Sequence, residues 1–249
     1  MSDRNIVLAF DAYGTLLSTE SIAKKLASHF GEDRANAVAA KWRLYQLEYT
    51  WRANSMNMYE PFSSITRKSL RHALKEQGLW LDEDDVKGVM SAYDSLSTFP
   101  DVKPALDAIV KERDLTCVVF SQGTYAMVSA SVNKSPDLGP YAAIFKDIVV
   151  VEEVRKFKPA PETYDHLVQK LGRQKGDFDG LWLVSGNPFD IVGSRAMGMN
   201  AVWVDRAGTG WMDSLGEPNL RPSIIVKSLG EVVAKVRAYE SASGNSARA

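Results

Sequence analysis

The sequence contains almost no cysteine, no long apolar run and no excess of charge of either sign. Cys117 is the only cysteine among 249 residues, which excludes a disulfide framework and leads us to expect a reducing compartment, the cytoplasm. No stretch approaches the run of about 20 apolar residues that spans a membrane, and residues 1–5 lack the pattern of a signal peptide. Lys and Arg number 30 against 31 Asp and Glu, so no electrostatic field attracts nucleic acid or an anionic membrane.

Histidines and glycine-rich loops are also missing from places where they would indicate chemistry. The three histidines, His29, His72 and His166, have the spacing of neither a metal site nor a catalytic triad. No predicted strand is followed by Gly-x-Gly-x-x-Gly, so nucleotide binding has no support. Hydrophobic residues make up 45% and charged residues 24% of the chain, a balance typical of globular proteins.

Six short apolar runs predict the strands of a parallel sheet. Each run is continuously apolar rather than alternating, as in strands that helices cover on both faces. Amphipathic helices are predicted between them, for example over 103–113 and 162–171. This alternation predicts a doubly wound α/β core. The runs are residues 6–10, 115–120, 148–151, 181–184, 201–204 and 223–226.

The alternation stops between about Thr19 and Thr98, where only helices are predicted. They lie around residues 21–30, 35–49, 63–77 and 83–96. A block of helices directly after the first strand predicts an inserted helical domain, residues 18–98, within an α/β core of residues 1–17 and 99–249. Residues 241–246 are small and polar, so we expect a frayed tail there.

Polar residues follow the carboxyl ends of the first four predicted strands. In open α/β sheets, ligands bind beyond these carboxyl ends, so we expect one cleft to contain two carboxylates, a lysine, an amide and hydroxyl groups. The segments that follow successive strands are Asp11-Ala12-Tyr13-Gly14-Thr15, Ser121-Gln122, Lys158-Pro159 and Ser185-Gly186-Asn187-Pro188-Phe189-Asp190.

In chain order, these segments resemble the four motifs of the haloacid dehalogenase (HAD) superfamily with a helical cap. The similarity is greatest to its L-2-haloacid dehalogenase branch, whose first motif reads Asp-x-Tyr-Gly-Thr, as at Asp11. Residues 42–51, Trp-Arg-Leu-Tyr-Gln-Leu-Glu-Tyr-Thr-Trp, match the cap of that branch and contain its arginine, Arg43. The resemblance implies a Rossmann-like core with an inserted cap. It also implies hydrolysis of short 2-haloalkanoic acids through a covalent aspartyl ester, with inversion at C2.

The resemblance assigns catalytic roles to four residues. Asp11 would be the nucleophile, since a carboxylate can form an ester with the substrate. Lys158 would keep that carboxylate ionised and stabilise charge developing on it. Asp190 would activate the hydrolytic water, hold Lys158, or do both. Arg43 would receive the halide, because a guanidinium is weakly hydrated and suits a large anion.

Other positions match substrate-binding residues of the family. Ser121 would hold the substrate carboxylate, with a helix N-cap as the plain alternative, and Gln122 stands where the relatives have Asn. Leu47, Phe62 and Phe189 would line the halide and alkyl pocket, or belong to the core. The remaining matched positions are Ala12, Tyr13, Thr15, Tyr164, Ser185 and Asn187.

Tyr13 and Gly186 argue against a metal-dependent phosphatase. Phosphatases of the superfamily carry a second Asp at the position of Tyr13 and an acidic Mg²⁺ ligand at that of Gly186. A hard cation would find few anionic ligands here, so we expect no metal and no cofactor. A Mg²⁺-dependent phosphatase of a small metabolite and a catalytically silent binding protein are the alternatives. The expected partner is the halocarboxylate alone, and the resemblance implies a homodimer.

Overall fold

The computed structural model describes residues 6–112 and 114–246. Within these residues the chain alternates between strands and helices, as the apolar runs predict. The strands are β1 (Ile6–Phe10), β2 (Leu115–Ser121), β3 (Phe145–Val150), β4 (Leu181–Ser185), β5 (Asn200–Val204) and β6 (Ile224–Val226). The helices are α1 (Ala23–Phe30), α2 (Glu32–Ser55), α3 (Phe62–Glu76), α4 (Glu83–Tyr93), α5 (Val102–Ile109), α6 (Tyr125–Lys134), α7 (Pro161–Lys170), α8 (Pro188–Ala196) and α9 (Val232–Ser246).

The six strands form one parallel sheet in the order β3-β2-β1-β4-β5-β6. β1 is central and fully buried, and its neighbours β2 and β4 pair with it in parallel. The chain builds one half of the sheet outward from β1 and the other half outward from β4. The carboxyl ends of β1 and β4 therefore lie at the point where the strand order reverses, and such points bind ligands in α/β proteins. The predicted parallel α/β fold is confirmed.

Helices α1 to α4 fill the stretch between β1 and α5, where the described residues contain no strand. The chain leaves the sheet and returns to it at one place, because Leu17 and Thr98 pair in an isolated antiparallel bridge. In the insertion, α2 and α3 are joined by a hydrogen bond from the Trp42 indole N–H to the Thr66 carbonyl, at 2.7 Å. From this bridge we propose that the cap comprises residues 18–98, between core segments that adjoin it at Leu17 and Phe99.

Several predicted boundaries differ from those of the structure. β3 begins at Phe145 and ends at Val150, because Val151 opens a short 3₁₀ helix. The helix predicted over 103–113 ends at Ile109, and Arg113, like residues 1–5, lies outside the described residues.

The frayed tail expected over 241–246 is wrong, because α9 continues to Ser246. This helix is anchored one turn earlier, where Tyr239 packs edge-on against Trp182 at 5.1 Å and the Trp182 N–H donates to Glu240 at 2.8 Å. Once a helix is anchored in this way, each added residue gains a backbone hydrogen bond at little cost. No helix among the described residues is long and apolar enough to cross a membrane.

Candidate active site

Asp11 is the first residue after the central strand β1 and is 4% exposed. Its carboxylate accepts three hydrogen bonds, one from a side chain in the adjoining turn and two from side chains that are distant in sequence. Oδ2 accepts from the Thr15 hydroxyl and from the Asn187 amide, each at 2.8 Å. Among the described residues, Oδ1 accepts from the Lys158 ammonium alone, at 3.2 Å. The carboxylate is therefore held in one orientation, and Oδ1 is the less occupied oxygen.

Lys158 is completely buried and lies between two carboxylates. Its ammonium donates to Asp11 Oδ1 at 3.2 Å, to Asp190 Oδ2 at 2.8 Å and to the Phe120 carbonyl at 2.9 Å. Since an ammonium has three N–H donors, every one is used. One cation thus compensates two buried anions, and a buried charge without such a partner is costly.

Asp190 lies in the first turn of α8 and is fully buried. Burial raises the pKa of its carboxyl group, an effect that the neighbouring Lys158 opposes and the Asp11 charge reinforces. The hydroxyl of Tyr164 donates to Asp190 Oδ1 at 2.8 Å, and burial raises the pKa of Tyr164 well above its usual value. The resemblance places Tyr164 beside the substrate, whereas in the structure its hydroxyl orients Asp190.

Arg43 reaches from the cap helix α2 to the nucleophile loop. Its Nη2 donates to Asn187 Oδ1 at 3.1 Å and to the Tyr13 carbonyl at 3.3 Å. The same Asn187 donates from Nδ2 to Asp11 and to the Tyr13 carbonyl, at 2.8 and 2.9 Å. Arg43 is therefore not a solvated arginine on the surface of the cap, because a single residue, Asn187, links it by hydrogen bonds to Asp11.

Gln46 lies one turn after Arg43 on α2, and sequence reasoning did not select it. Its side chain is completely buried, and its Oε1 accepts from Arg43 Nη1 at 2.8 Å. Helical residues three apart share a face, and that spacing is the signal by which Gln46 could have been found.

The loop after β1 is clamped from both sides. Ala12 supplies the carbonyl that accepts from the backbone N–H groups of Thr15, Leu16 and Leu17 and closes the turn. Arg206 donates to the Thr15 carbonyl at 2.8 Å while Asp101 binds the same guanidinium at 3.0 Å. Sequence reasoning missed both partners, although Arg206 stands two residues after the predicted strand 201–204.

Ser121 and Gln122 stand at the carboxyl end of β2. Ser121 Oγ accepts from the N–H of Gly123 at 3.1 Å. The alternative that Ser121 caps a helix is wrong, because the N-cap of α6 is Thr124, whose side chain accepts from Met127. Gln122 is 5% exposed, and its Oε1 has no hydrogen-bond partner within the described residues.

Tyr13 is buried between aromatic rings, 5.7 Å from Phe62 and 5.6 Å from Tyr93, centroid to centroid. Burial raises the pKa of its hydroxyl well above the usual value. That hydroxyl also lacks a partner within residues 6–112 and 114–246. Tyr13 thus remains neutral and leaves one donor unused beside the loop of Gly123, whose added β-carbon would lie 3.2 Å from Tyr13 Oη.

The three apolar residues predicted to line the pocket lie on α3, α2 and α8. Phe62 is 1% exposed, and Leu47 is half-buried on α2. Phe189 packs edge-on against Trp51 at 5.5 Å, and both line a cavity of about 620 Å³ between α2 and α8. Ser185 Oγ accepts from the N–H of Asn187 at 3.1 Å.

A second contact joins the cap to the lysine loop. Asn54 on α2 donates to the Phe157 carbonyl at 2.6 Å and accepts from the Phe157 N–H at 2.9 Å. Lys156 donates to Asn57 at 2.6 Å. The backbone directly before Lys158 is thereby bound to the same helix that carries Arg43. No sequence pattern indicated this contact.

A Mg²⁺ ion, which the resemblance to phosphatases raises, does not fit this donor set. Asp11 Oδ2 and both Asp190 oxygens are already hydrogen-bonded, and Tyr13 is a neutral, buried phenol. Within the described residues, no three Asp, Glu, His or Cys side chains form a group that could hold a metal. The nearest cation to both carboxylates is the chain's own Lys158.

A parallel sheet with Asp11 and Lys158 at its switch point, and an inserted helical segment, is the architecture of the haloacid dehalogenase-like hydrolases. The chain belongs to this family, whose model matches residues 7–197. It is 32% identical to the (S)-2-haloacid dehalogenase H-109 of Pseudomonas putida over 90% of this chain and 95% of the relative. It is 31% identical to the (S)-2-haloacid dehalogenase of Pseudomonas sp. strain YL over 95% of each.

A solved structure agrees with these sequence relatives. The L-2-haloacid dehalogenase from Xanthobacter autotrophicus with chloropropionic acid covalently bound superimposes with a TM-score of 0.80. It is 27% identical to this chain, and the match covers 93% of this chain and 98% of that one. The family assigned from the sequence motifs is confirmed.

Proposed function

We propose that the protein hydrolyses the carbon–halogen bond of short 2-haloalkanoic acids, through a covalent ester on Asp11 and with inversion at C2. The observation that carries this proposal is the Asp11 carboxylate, held by Thr15, Asn187 and Lys158 with a cap arginine one residue away. The relatives are haloacid dehalogenases, which supports the reaction class.

In the first step, Asp11 Oδ1 attacks C2 from the side opposite the halogen. Each carboxylate oxygen can accept about two hydrogen bonds. Oδ2 already accepts two, from Thr15 and Asn187, whereas Oδ1 keeps a lone pair free. The new C–O bond forms as the carbon–halogen bond breaks, and halide leaves with its electron pair. Halide leaves without being protonated, so the neutral Tyr13 at the position of the phosphatase acid is no handicap.

Arg43 receives the halide in this scheme. Its Nη2 makes two long hydrogen bonds, 3.1 and 3.3 Å, to neutral oxygen acceptors. An anion competes well for such donors, because its full negative charge attracts the guanidinium more strongly than a neutral carbonyl or amide oxygen does. The guanidinium can therefore turn toward the departing halide without leaving its site.

In the second step, water attacks the carbonyl carbon of the Asp11 ester. Asp190 takes one proton from the water and returns it to the alkoxide oxygen of the leaving hydroxy acid as the acyl C–O bond breaks. Asp11 is regenerated with an oxygen atom from water, and its carboxyl group releases the second proton to solvent. Burial raises the pKa of Asp190, which makes its carboxylate a stronger base. Because C2 is attacked only once, an L-2-halo acid yields a D-2-hydroxy acid.

The substrate carboxylate would bind at the Ser121 loop. Two hydroxyl groups that could donate lie at this edge of the sheet, that of Ser121 and that of Tyr13, which has no partner among the described residues. A buried donor without a partner costs about 1–3 kcal/mol, which a bound anion would recover. We extend the proposal to the homodimer that the resemblance implies; sedimentation velocity tests it separately.

Halide release distinguishes this proposal from a phosphatase. Purified protein is assayed with L-2-chloropropionate and with a panel of phosphate monoesters, each with and without EDTA. We expect halide release that EDTA does not change, together with D-lactate as product. Phosphate release that requires Mg²⁺ would establish the phosphatase instead. Release of neither halide nor phosphate would indicate a silent binding protein.

A further inference from the structure

We infer that Gln46 is a positioning residue that fixes the guanidinium of Arg43 against the nucleophile loop. The inference rests on the proposed function, in which Arg43 receives halide. Gln46 is completely buried, and both ends of its amide are bonded. Nε2 donates to Thr66 Oγ1 at 2.8 Å, and Oε1 accepts from Arg43 Nη1 at 2.8 Å and from the Tyr93 hydroxyl at 3.1 Å.

The partners allow only one orientation of this amide. A glutamine side chain can exchange its oxygen and nitrogen unless its neighbours decide between them. The Thr66 hydroxyl donates its single hydrogen to the Phe62 carbonyl, at 2.7 Å. Thr66 Oγ1 therefore faces Gln46 as an acceptor and requires the NH₂ group. The carbonyl oxygen must then point at Arg43, which has donors only.

The same logic continues from Arg43 to the nucleophile. Arg43 Nη2 donates to Asn187 Oδ1 at 3.1 Å, and Asn187 Nδ2 donates to Asp11 Oδ2 at 2.8 Å. The order Thr66, Gln46, Arg43, Asn187, Asp11 is thus one continuous set of hydrogen bonds, with every donor and acceptor determined. A long arginine side chain has many rotamers, and Gln46 restricts them to those that face the site.

The packing of the cap helices does not need this amide. Trp42 on α2 already binds the Thr66 carbonyl on α3 at 2.7 Å, so the two helices stay joined if Gln46 is replaced. A purely structural role for Gln46 would therefore change unfolding without changing the affinity for halide.

The experiment compares three cap variants with the wild type. Gln46→Met keeps the volume and removes all three hydrogen bonds of the amide, while Thr66→Val removes only the partner of Nε2 and leaves Arg43 unchanged. Thr50→Val is the matched control, since Thr50 is equally buried on α2 but donates only to the Leu47 carbonyl of its own helix, at 2.6 Å. The measurements are equilibrium binding of iodide, single-turnover halide release, KM and the thermal unfolding midpoint.

We expect Gln46→Met to weaken iodide binding and slow halide release, each by about 10- to 100-fold, because small misplacements of a catalytic group have effects of that size. Thr66→Val should also weaken iodide binding and slow halide release. In both variants KM should change by a smaller factor than the rate of halide release. Thr50→Val should match the wild type in every measurement except a small shift of the midpoint.

Two results would overturn the inference, and they differ from failure of the proposed function. If wild type releases halide and the folded Gln46→Met and Thr66→Val proteins equal it in iodide affinity and rate, Gln46 does not position Arg43. If Thr50→Val loses as much iodide affinity and as much of the rate of halide release, the effect of Gln46→Met is a general disturbance of α2. A wild-type protein that neither binds iodide nor releases halide from any 2-haloalkanoate would overturn the proposed function together with this inference.

Discussion

Gly186 and Gly14 approach each other so closely that a β-carbon on Gly186 would lie 2.5 Å from the Gly14 carbonyl oxygen. The obstacle is a backbone atom of the nucleophile loop, and Gly186 N–H itself donates to Thr15 Oγ1 at 2.9 Å. The loops after β1 and β4 thus meet without room for any side chain at position 186. The phosphatases of the superfamily carry their acidic Mg²⁺ ligand at this position, so packing as well as chemistry argues against that metal here.

Gly186→Ala should impair both stability and activity. A methyl group against backbone must displace one of the two loops, and overpacking of this kind costs about 1–3 kcal/mol. Gly88→Ala is the control, because Gly88 lies in α4 with open space around its added β-carbon. Replacing a glycine inside a helix by alanine should stabilise the protein by about 0.5–1 kcal/mol. Urea unfolding measures the change in stability, and halide release measures the change in activity. If Gly186→Ala and Gly88→Ala have the same stability and rate, the close approach of Gly186 to the Gly14 carbonyl is contradicted.

Asp11→Asn should abolish turnover in a folded protein. An amide of the same shape is a far weaker nucleophile, so we expect the rate to fall by at least about a thousandfold. Multiple turnovers of wild type in ¹⁸O-labelled water should place the label in Asp11, which mass spectrometry of the peptide detects. Label found only in the hydroxy acid would indicate direct attack of water on C2.

Lys158→Met should destabilise the protein as well as inactivate it. The two carboxylates that Lys158 separates are 0% and 4% exposed, and removing the cation of a buried pair costs about 3–5 kcal/mol. Adding Asp190→Asn to that variant should recover part of the stability and none of the activity. A single variant as stable as wild type would show that the two carboxylates do not depend on Lys158.

The pH dependence of ester hydrolysis should follow Asp190. Burial raises its pKa, and the base must be ionised, so the rate should fall with decreasing pH through a value above the usual range of aspartate. The Tyr164 hydroxyl opposes that rise in pKa by donating to the carboxylate. Tyr164→Phe should therefore shift the acid limb of the kcat profile to higher pH. An unchanged limb in this variant would assign it to another group.

Arg43→Lys should slow halide release more than ester hydrolysis. The guanidinium donates to Gln46 and Asn187 from two of its nitrogens at once. The compact ammonium of lysine cannot reach both acceptors in this planar geometry, and it is more strongly hydrated. We expect a loss of about 100-fold in single-turnover halide release, similar to the loss of one preorganised donor. Arg52→Lys, a half-exposed arginine that binds Glu48 on the same helix, should have no effect. If Arg43→Lys and Arg43→Ala both keep the wild-type rate, halide leaves elsewhere.

The sequence alone determines the sheet and the identity of the central residues. Continuous apolar runs are a local property, and residues directly after such runs must lie at the carboxyl edge of a parallel sheet. That is why Asp11, Asn187 and Asp190 could be selected before any contact was known, whereas Lys158, several residues beyond its predicted strand, was selected because it matches a motif of the family. The boundary of β3 and the helical tail could not be, because helix and strand ends depend on contacts such as that of Tyr239 with Trp182.

Only the tertiary structure decides how these residues act on one another. Asp11 and Lys158 are 147 positions apart, and Arg43 and Asn187 are 144 apart, so no local pattern states which oxygen each donor meets. Asn54 and Arg206 gain their roles from partners in the lysine loop and the nucleophile loop, and Gln46 is held in place by Thr66 and Tyr93 as well as by Arg43 on its own helix. A hydrogen bond needs a distance and a direction within narrow limits, and the packed fold sets both.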